Sequence, residues 1–439
     1  MQYQLYPVLI RLGEDAKRYS ADFQTKPEYA AGWKSVLLRA HGKAEVVCLC
    51  PGRGGKRLSI RYVSNTDSCY ISRYPESGHE HAPDCKYYAP DPEKSGIGCY
   101  DKDAIEELPD GGLKIKLQVG LEERTPGERD EKNKDAARPR DPGTRTRKPA
   151  MTLLGLLHLL WTQARLNWWY PKMEGKRNLN SVMYWLRSAA GTIKAGRIGL
   201  ADVLCLAADK EHTDQAKINQ EVVRKAAQKK RRLIVIAPLA LHSAERERCE
   251  AGHLPIYGFH GIPRLALDAG LWSRTVERFG QEIAAWRNGY RTIAIVQTDT
   301  PEKQTAKILD MALMAVSKAW IPLDSMLEGT VEEKLRAERR SFEKPLRFDA
   351  VEEVVFPDFW LVDVGRDFPM EVFGRNDPAY EARKHAKVRY YGQTYGATGW
   401  WHWDAAADPD RIPDLPEPVK SFAAATSAGS FTRTSSPSP

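Results

Sequence analysis

The sequence predicts an α/β multidomain protein with three parts: a small β-rich, zinc-binding N-terminal module, a central helical and then mixed α/β region, and a C-terminal α/β domain. Three observations predict it. The chain has 439 residues, 42% hydrophobic and 28% charged, which is enough apolar material for two or three cores. Two stretches, residues 121–150 and 405–439, are too polar or too rich in Pro and Ser to bury one. Elsewhere strand-like and helix-like apolar spacings follow one another.

The first part spans residues 1–120. Lys34–Arg39, Ala44–Leu49 and Leu58–Val63 read as short strands, with Gly-rich turns such as Gly52–Gly55 between them. In residues 121–150 sixteen of thirty side chains are charged, so burial cannot offset the ordering entropy and a mobile linker is expected.

The central part spans residues 151–323. Leu153–Leu166 and Ser181–Ile193 are helices by apolar spacing, and Trp161, Trp168, Trp169 and Trp185 belong to a helical core. Lys176 and Arg177 could touch phosphates. Arg224–Arg232 holds six basic residues in nine and precedes the strand-like run Leu233–Ile236. Gly258–Arg264 (GFHGIPR) is a glycine-bounded, flexible loop without the GxxxxGK[ST] pattern of a nucleotide-phosphate cradle. Ile293–Gln297 is a strand, and Ala306–Lys318 is expected to be a helix.

The last part spans residues 324–404. A helix starts at Ser325 with the capping-box spacing Ser325-x2-Glu328 and runs to about Arg340. Leu346–Asp349, Val354–Asp363 and Phe368–Phe373 are strands, Pro378–Tyr391 is a helix, and Gly399–Trp403 is a final strand. Residues 405–439 form a disordered tail.

Several classes are set aside. Met151–Trp161, the longest apolar run, is about half the roughly 20 residues a membrane span needs. Met1–Arg11 lacks the basic and apolar regions of a secretory signal. Five of seven cysteines crowd between Cys48 and Cys99, a pattern suited to a metal site in a reducing cytoplasm. The net charge of +8 favours a polyanionic partner, nucleic acid first.

Cys48-x-Cys50 and His81-x3-Cys85 are two short ligand pairs separated by a loop, the usual design of a structural Zn²⁺ site. His79 is a reserve ligand and Cys69 a poorer one. Basic residues between the pairs, Arg57 and Arg61 among them, are interleaved with tyrosines, as in surfaces that hold phosphates and stack on bases.

In the C-terminal part, two strands joined by a short loop bring Asp358 and Glu371 to one end of a sheet. Two carboxylates there form an oxygen-rich site for Mg²⁺. Tyr380, Lys384, Lys387 and Tyr391 share one face of the following helix, so a lysine can supply positive charge to the same place.

FPDFWLVD, then MEVFG, then Tyr380-x6-Lys387-x3-Tyr391 resembles the PD-(D/E)XK nuclease superfamily, and especially the variant appended to some superfamily 1 helicases. The resemblance implies a restriction-endonuclease-like α/β domain. It implies Asp358 and Glu371 as catalytic Mg²⁺ ligands, Lys387 as the lysine moved to the helix, and Glu328 as an auxiliary acid. Phe373 stands where the usual pattern has its lysine, and Lys384 is the competing choice. The whole chain also resembles a bacterial family of unknown function carried on conjugative plasmids and integrative elements. The features that carry this are CLC…HAPDC, KPLRFD…PDFWLVD…MEVFG, and Trp168-Trp169 with Gly175-Lys176-Arg177.

The expectation is therefore a cytoplasmic, Mg²⁺-dependent nuclease of a mobile element, acting on DNA, with Lys384, Arg57 and Arg61 helping to hold it. The competing expectation is a non-catalytic nucleic-acid-binding or interaction protein that keeps the nuclease fold as scaffold.

Overall fold

Among the described residues, three clusters of buried apolar side chains organise four β-sheets. The structure, a computed structural model, describes residues 4–63, 68–74, 77–82, 85–88, 96–101, 103–108, 112–123, 148–350, 356–365 and 367–419.

The N-terminal sheet is antiparallel, in the order β2-β1-β3-β4-β5. Its strands are β1 (Val8–Leu12), β2 (Asp15–Tyr19), β3 (Glu45–Cys48), β4 (Arg57–Val63) and β5 (Ser68–Arg73). Two helices, α1 (Ala21–Thr25) and α2 (Ala30–Ala40), lie between β2 and β3. The strand expected at Lys34–Arg39 is part of α2. Trp33, Val36, Leu37 and Ala40 recur at helical spacing and face the module's core.

The central unit is larger. Strands β6 (Ile105–Glu107) and β7 (Leu113–Ile115) precede helix α3 (Leu153–Gln163) and strand β8 (Trp168–Trp169). Then come α4 (Leu179–Ala190), β9 (Ile193–Ala195), β10 (Ile198–Gly199), β11 (Leu204–Leu206), α5 (Asp214–Gln228) and β12 (Ile234–Pro238). They are followed by α6 (Ala244–Glu247), β13 (Arg264–Ala266), α7 (Ala269–Arg278), α8 (Gly280–Arg287), β14 (Arg291–Thr298), β15 (Thr305–Val316) and β16 (Pro322–Leu323). The main sheet has the order β11-β12-β14-β15-β13, and a smaller one the order β10-β9-β7-β6. Apolar on nearly every side, α3 is buried against this core.

The helix expected at Ala306–Lys318 is strand β15. Ala, Leu and Met favour a helix locally, but an antiparallel ladder with β14 from Arg291↔Val316 to Thr298↔Ile308 captures the segment. The loop Gly258–Arg264 is pinned rather than flexible: Gly258 and Gly261 take φ +75°, and a Cβ on Gly261 would strike the carbonyl of Ala216. Arg177 does not face solvent. Its guanidinium bonds the carbonyls of Leu166 (2.8 Å), Ala319 (3.1 Å) and Trp168, and burial lowers its pKa to about 9. Trp168 and Trp169, expected in a helical core, form β8.

The C-terminal unit runs α9 (Met326–Ala337), β17 (Phe342–Glu343), β18 (Phe359–Leu361), β19 (Pro369–Phe373), α10 (Pro378–Tyr395) and β20 (Trp401–Asp404). Its sheet has the order β20-β19-β18-β17-β8, with β20 parallel to β19 and the other pairs antiparallel. Side chains cap both helices. Ser325 accepts from Glu328 N at the start of α9, and Asp377 accepts from Tyr380 N at the start of α10, with Pro378 in the first turn. Leu346–Asp349 is irregular rather than a strand: Phe348 has φ 53°, and Phe348 N donates to His158 Nδ1.

Sheet pairing crosses the expected part limits. Strand β7, placed with its partner β6 in residues 1–120, pairs with β9, and β8, placed in residues 151–323, closes the C-terminal sheet. Residues 124–147 of the expected linker lie outside the described residues, but its described end at Leu121 is buried in the central core. Residues 420–439 of the expected tail also lie outside them. Residues 405–419 pack on the C-terminal unit through Ile412 and Leu415. No helix among the described residues is long and apolar enough to cross a membrane.

Candidate metal centre and carboxylate cluster

Strand geometry assembles the first site. In an extended strand residues i and i+2 face the same way, so Cys48 at the end of β3 and Cys50 beyond it point together. Opposite them a 3₁₀ turn (Gly78–Glu80) ends at His81, and Cys85 N bonds the carbonyl of Ala82 at 2.8 Å. Gly52 lets the two segments touch, because a Cβ there would overlap the carbonyl of Glu80.

The thiols of Cys48, Cys50 and Cys85 and the His81 ring are all buried, with their ligand atoms within 4.8 Å of one another. Sγ of Cys48 lies 3.7 Å from Sγ of Cys85, and His81 Nδ1 lies 3.6 Å from Cys50 Sγ and 3.7 Å from Cys85 Sγ. A tetrahedral ion with arms of about 2.3 Å to sulfur and about 2.0 Å to nitrogen spaces its ligands about 3.8 Å (S···S) and about 3.5 Å (S···N) apart. The cluster therefore has the size and donor set to hold a metal such as Zn²⁺. Backbone N–H groups of Ala82 and Tyr87 donate to the sulfurs of Cys50 (3.3 Å) and Cys85 (3.4 Å), which favours thiolates. Bonds from Cys48 and then Cys85 hold the Cys50 thiol below the ordinary value, while the bond to Cys50 pushes Cys48 up to about 11. The reserve ligands stand apart: His79 is exposed, and Cys69 lies in β5 outside the cluster.

The second cluster is at the sheet end of the C-terminal unit. The register Phe359↔Met370, continued one step, sets Asp358 opposite Glu371, so both side chains leave one face of the sheet. Asp358 Oδ2 accepts from Val372 N at 2.8 Å. From α10, Lys387 Nζ lies 2.9 Å from both Glu371 oxygens, and Tyr391 Oη donates to Glu371 Oε1 at 2.8 Å. Glu371 is 1% exposed. Burial, then the neighbouring Asp358 charge, raise its pKa to about 8 against the pull of Lys387.

Lys384, the competing lysine, turns away to Asp404 (2.6 Å) and Glu381 (3.2 Å). Glu328 is buried beside this cluster. Its Oε2 lies 2.9 Å from Lys344 Nζ and accepts from Asp324 N at 3.0 Å. Burial raises Glu328 to about 8, with Asp324 and Asp358 adding to the rise. Lys344, which sequence reasoning did not single out, is the fully buried cation of the cluster, also 2.9 Å from Asp324. Burial alone would lower its pKa, but Asp324, Glu328 and Asp358 together hold it above the ordinary lysine value. It opens the KPLRFD stretch, but nothing in that stretch marks it as the partner of buried carboxylates. Only the fold brings residues 324, 328 and 344 to Asp358.

The arginines expected to touch nucleic acid are at the surface of the N-terminal sheet. Arg57 lies over the Tyr74 ring (5.7 Å) and 3.9 Å from Glu45, and Arg61 is exposed on β4.

No curated protein and no solved structure matches the chain. A family described as "Protein of unknown function (DUF1173)" matches residues 19–406, a span that holds every ligand and every carboxylate of the two clusters. The match covers most of the chain, and the protein belongs to the DUF1173 family.

Proposed function

We propose that the protein is a Mg²⁺-dependent nuclease of a mobile element, hydrolysing DNA phosphodiester bonds at the Asp358–Glu371–Lys387 cluster, with the Cys₃His centre as its structural zinc. The observation that carries this is the convergence of two strand carboxylates and one helix ammonium, within a helix, three antiparallel strands, a helix and a parallel strand. That order and placement are what the resemblance to the PD-(D/E)XK superfamily leads one to expect.

The donor set suits Mg²⁺, which takes one or two carboxylates and keeps its other positions for water and phosphate oxygens. Bound there, the ion would supply charge neutralisation and an acidified water. The chain's own groups do the rest. The Val372 N–H fixes the Asp358 carboxylate, and the Tyr391 hydroxyl fixes Glu371. Lys387 Nζ stands beside Glu371, where charge on a phosphate in transition would develop. Glu328, locked on Lys344, positions the leading helix rather than offering both of its oxygens.

One observation favours the second reading, a non-catalytic nucleic-acid binder: Glu371 and Glu328 each have a cation partner within the chain. The discriminating experiment is cleavage of labelled single-stranded, duplex and branched DNA with and without Mg²⁺. Asp358→Asn keeps the bond from Val372 N, and it should lower the rate at least about a hundredfold, as should Glu371→Gln and Lys387→Ala. Mg²⁺-dependent cleavage that survives the first two substitutions rejects this site. Absence of cleavage on every substrate leaves the binder.

A further inference from the structure

Away from both clusters, the central unit holds a cleft of about 1110 Å³. Its wall is the loop before β13. Tyr257 and Phe259 stand on that wall 53% and 61% exposed, and Phe259 stacks on His260 with ring centroids 4.7 Å apart. Exposed rings on a flexible loop would be unremarkable, but here the backbone beneath them is fixed. Gly258 and Gly261 take the left-handed φ that only glycine adopts without strain. Ala208 N bonds the carbonyl of Gly258 at 2.7 Å, and Asn219 Nδ2 bonds that of His260 at 3.0 Å. Arg246 and Arg264 line the same cleft. Arg246 bonds a neutral carbonyl, that of Leu241, and Arg264 lies 3.2 Å from His253 Nδ1. Asp209 presents there an Oδ1 that is shut off from solvent and has no donor among the described residues.

We infer that this cleft binds single-stranded nucleic acid, with Phe259 and Tyr257 as a preorganised stacking platform for bases and Arg246 and Arg264 taking phosphates. Rigid exposed rings stack on any base face, and guanidinium groups neutralise the backbone. The cleft is roomier than the roughly 300–1,000 Å³ that holds one small molecule, which suits an extended chain of nucleotides. The inference rests on nucleic acid being the ligand of this protein, but not on cleavage at Glu371.

The test is fluorescence anisotropy of the full zinc-loaded chain without Mg²⁺. The probes are labelled oligothymidylate and oligouridylate of about twenty nucleotides, longer than one binding fold covers, and a duplex of equal length. Phe259→Ala and Tyr257→Ala should each weaken single-strand binding at least about fivefold, and Phe259→Trp should preserve it. Arg246→Gln and Arg264→Gln should each reduce the slope of affinity against salt. The two probes show whether DNA or RNA is preferred. Equal affinity of wild type and the Phe259→Ala/Tyr257→Ala double variant overturns the inference, as does a wild type that binds neither strand. Loss of binding in the platform variants, with no cleavage by wild type, would sink the nuclease reading and keep the platform.

Discussion

His158 is a histidine held neutral by its surroundings. It lies on α3 in the central core, and its Nδ1 accepts from Phe348 N at 2.9 Å. Burial lowers its pKa from 6.5 to about 4, against a smaller opposing pull from Asp324 and Asp349. The unfolded chain therefore binds a proton first as pH falls. The stability this site contributes is whole above pH 6.5 and is lost as the pH drops through about 4, a difference of about 3 kcal/mol. His158→Asn keeps an acceptor for Phe348 N and removes the titration. Urea unfolding followed by tryptophan fluorescence should give wild type a steeper loss of stability between pH 6.5 and 4 than the variant. Parallel profiles would mean that the ring takes its proton in the folded state without penalty.

Among the elements, a buried ion pair helps to hold the segment after β20. Arg340, just past α9, grips Asp363 in a bidentate pair at 2.6 and 3.0 Å, and its remaining nitrogen bonds the carbonyl of Pro416 at 2.6 Å. Removing one partner strands a buried charge, so Asp363→Ala should cost about 3–5 kcal/mol. It should also loosen residues 405–419, read as faster proteolysis there at a denaturant concentration where the rest of the chain stays folded. Unchanged proteolysis would assign the docking to Ile412 and Leu415 and to the indole bonds of Trp401 and Trp403 to the carbonyls of Asp414 and Asp408. Elements with strong local signals were legible in the sequence: α3 by its apolar spacing and length, α9 by the Ser325-x2-Glu328 spacing, and β14 by its β-branched run. Strand β15 was not, because Ala306–Val316 carries helix-forming residues and only pairing with β14 and β13 dictates otherwise. The sites divide in the same way. The Cys₃His set and the order Asp358, Glu371, Lys387 are written along the chain. Lys344 and the aromatic cleft exist only once distant segments meet.

Across the whole molecule the three cores differ in what sustains them. The central core draws on residues from Tyr100 to Phe348, whereas the N-terminal one is confined to Val8–Tyr87. Three of the thirteen buried apolar residues in that small core are the cysteine ligands themselves. So few apolar residues offer little margin over conformational entropy, and metal binding becomes folding free energy. Among the described residues, the module meets the rest of the chain through polar and ring contacts: Arg165 Nη2 to the Cys85 carbonyl (3.0 Å), Tyr88 edge-on to Trp168, Arg53 to Asp367 (2.9 Å) and Arg73 to Glu107 (3.1 Å). Loss of metal should therefore unfold this module without melting the central unit. Chelation, or Cys85→Ser, should abolish bound zinc and split thermal unfolding into an early and a late transition. Hydrogen exchange should quicken throughout β1, β3 and β4 while α3 and β14 keep their protection. A Cys85→Ser chain that retains its zinc refutes the ligand set. Unaltered exchange in β3 after complete zinc removal would mean that Leu37, Val46 and their neighbours hold the module unaided. The bond from Arg165 then predicts where any remaining effect travels. Arg165 stands three residues before β8, the strand that closes the C-terminal sheet, so a quickening limited to β8 and β17 would mark a path through Arg165 rather than one through Arg53 and Asp367.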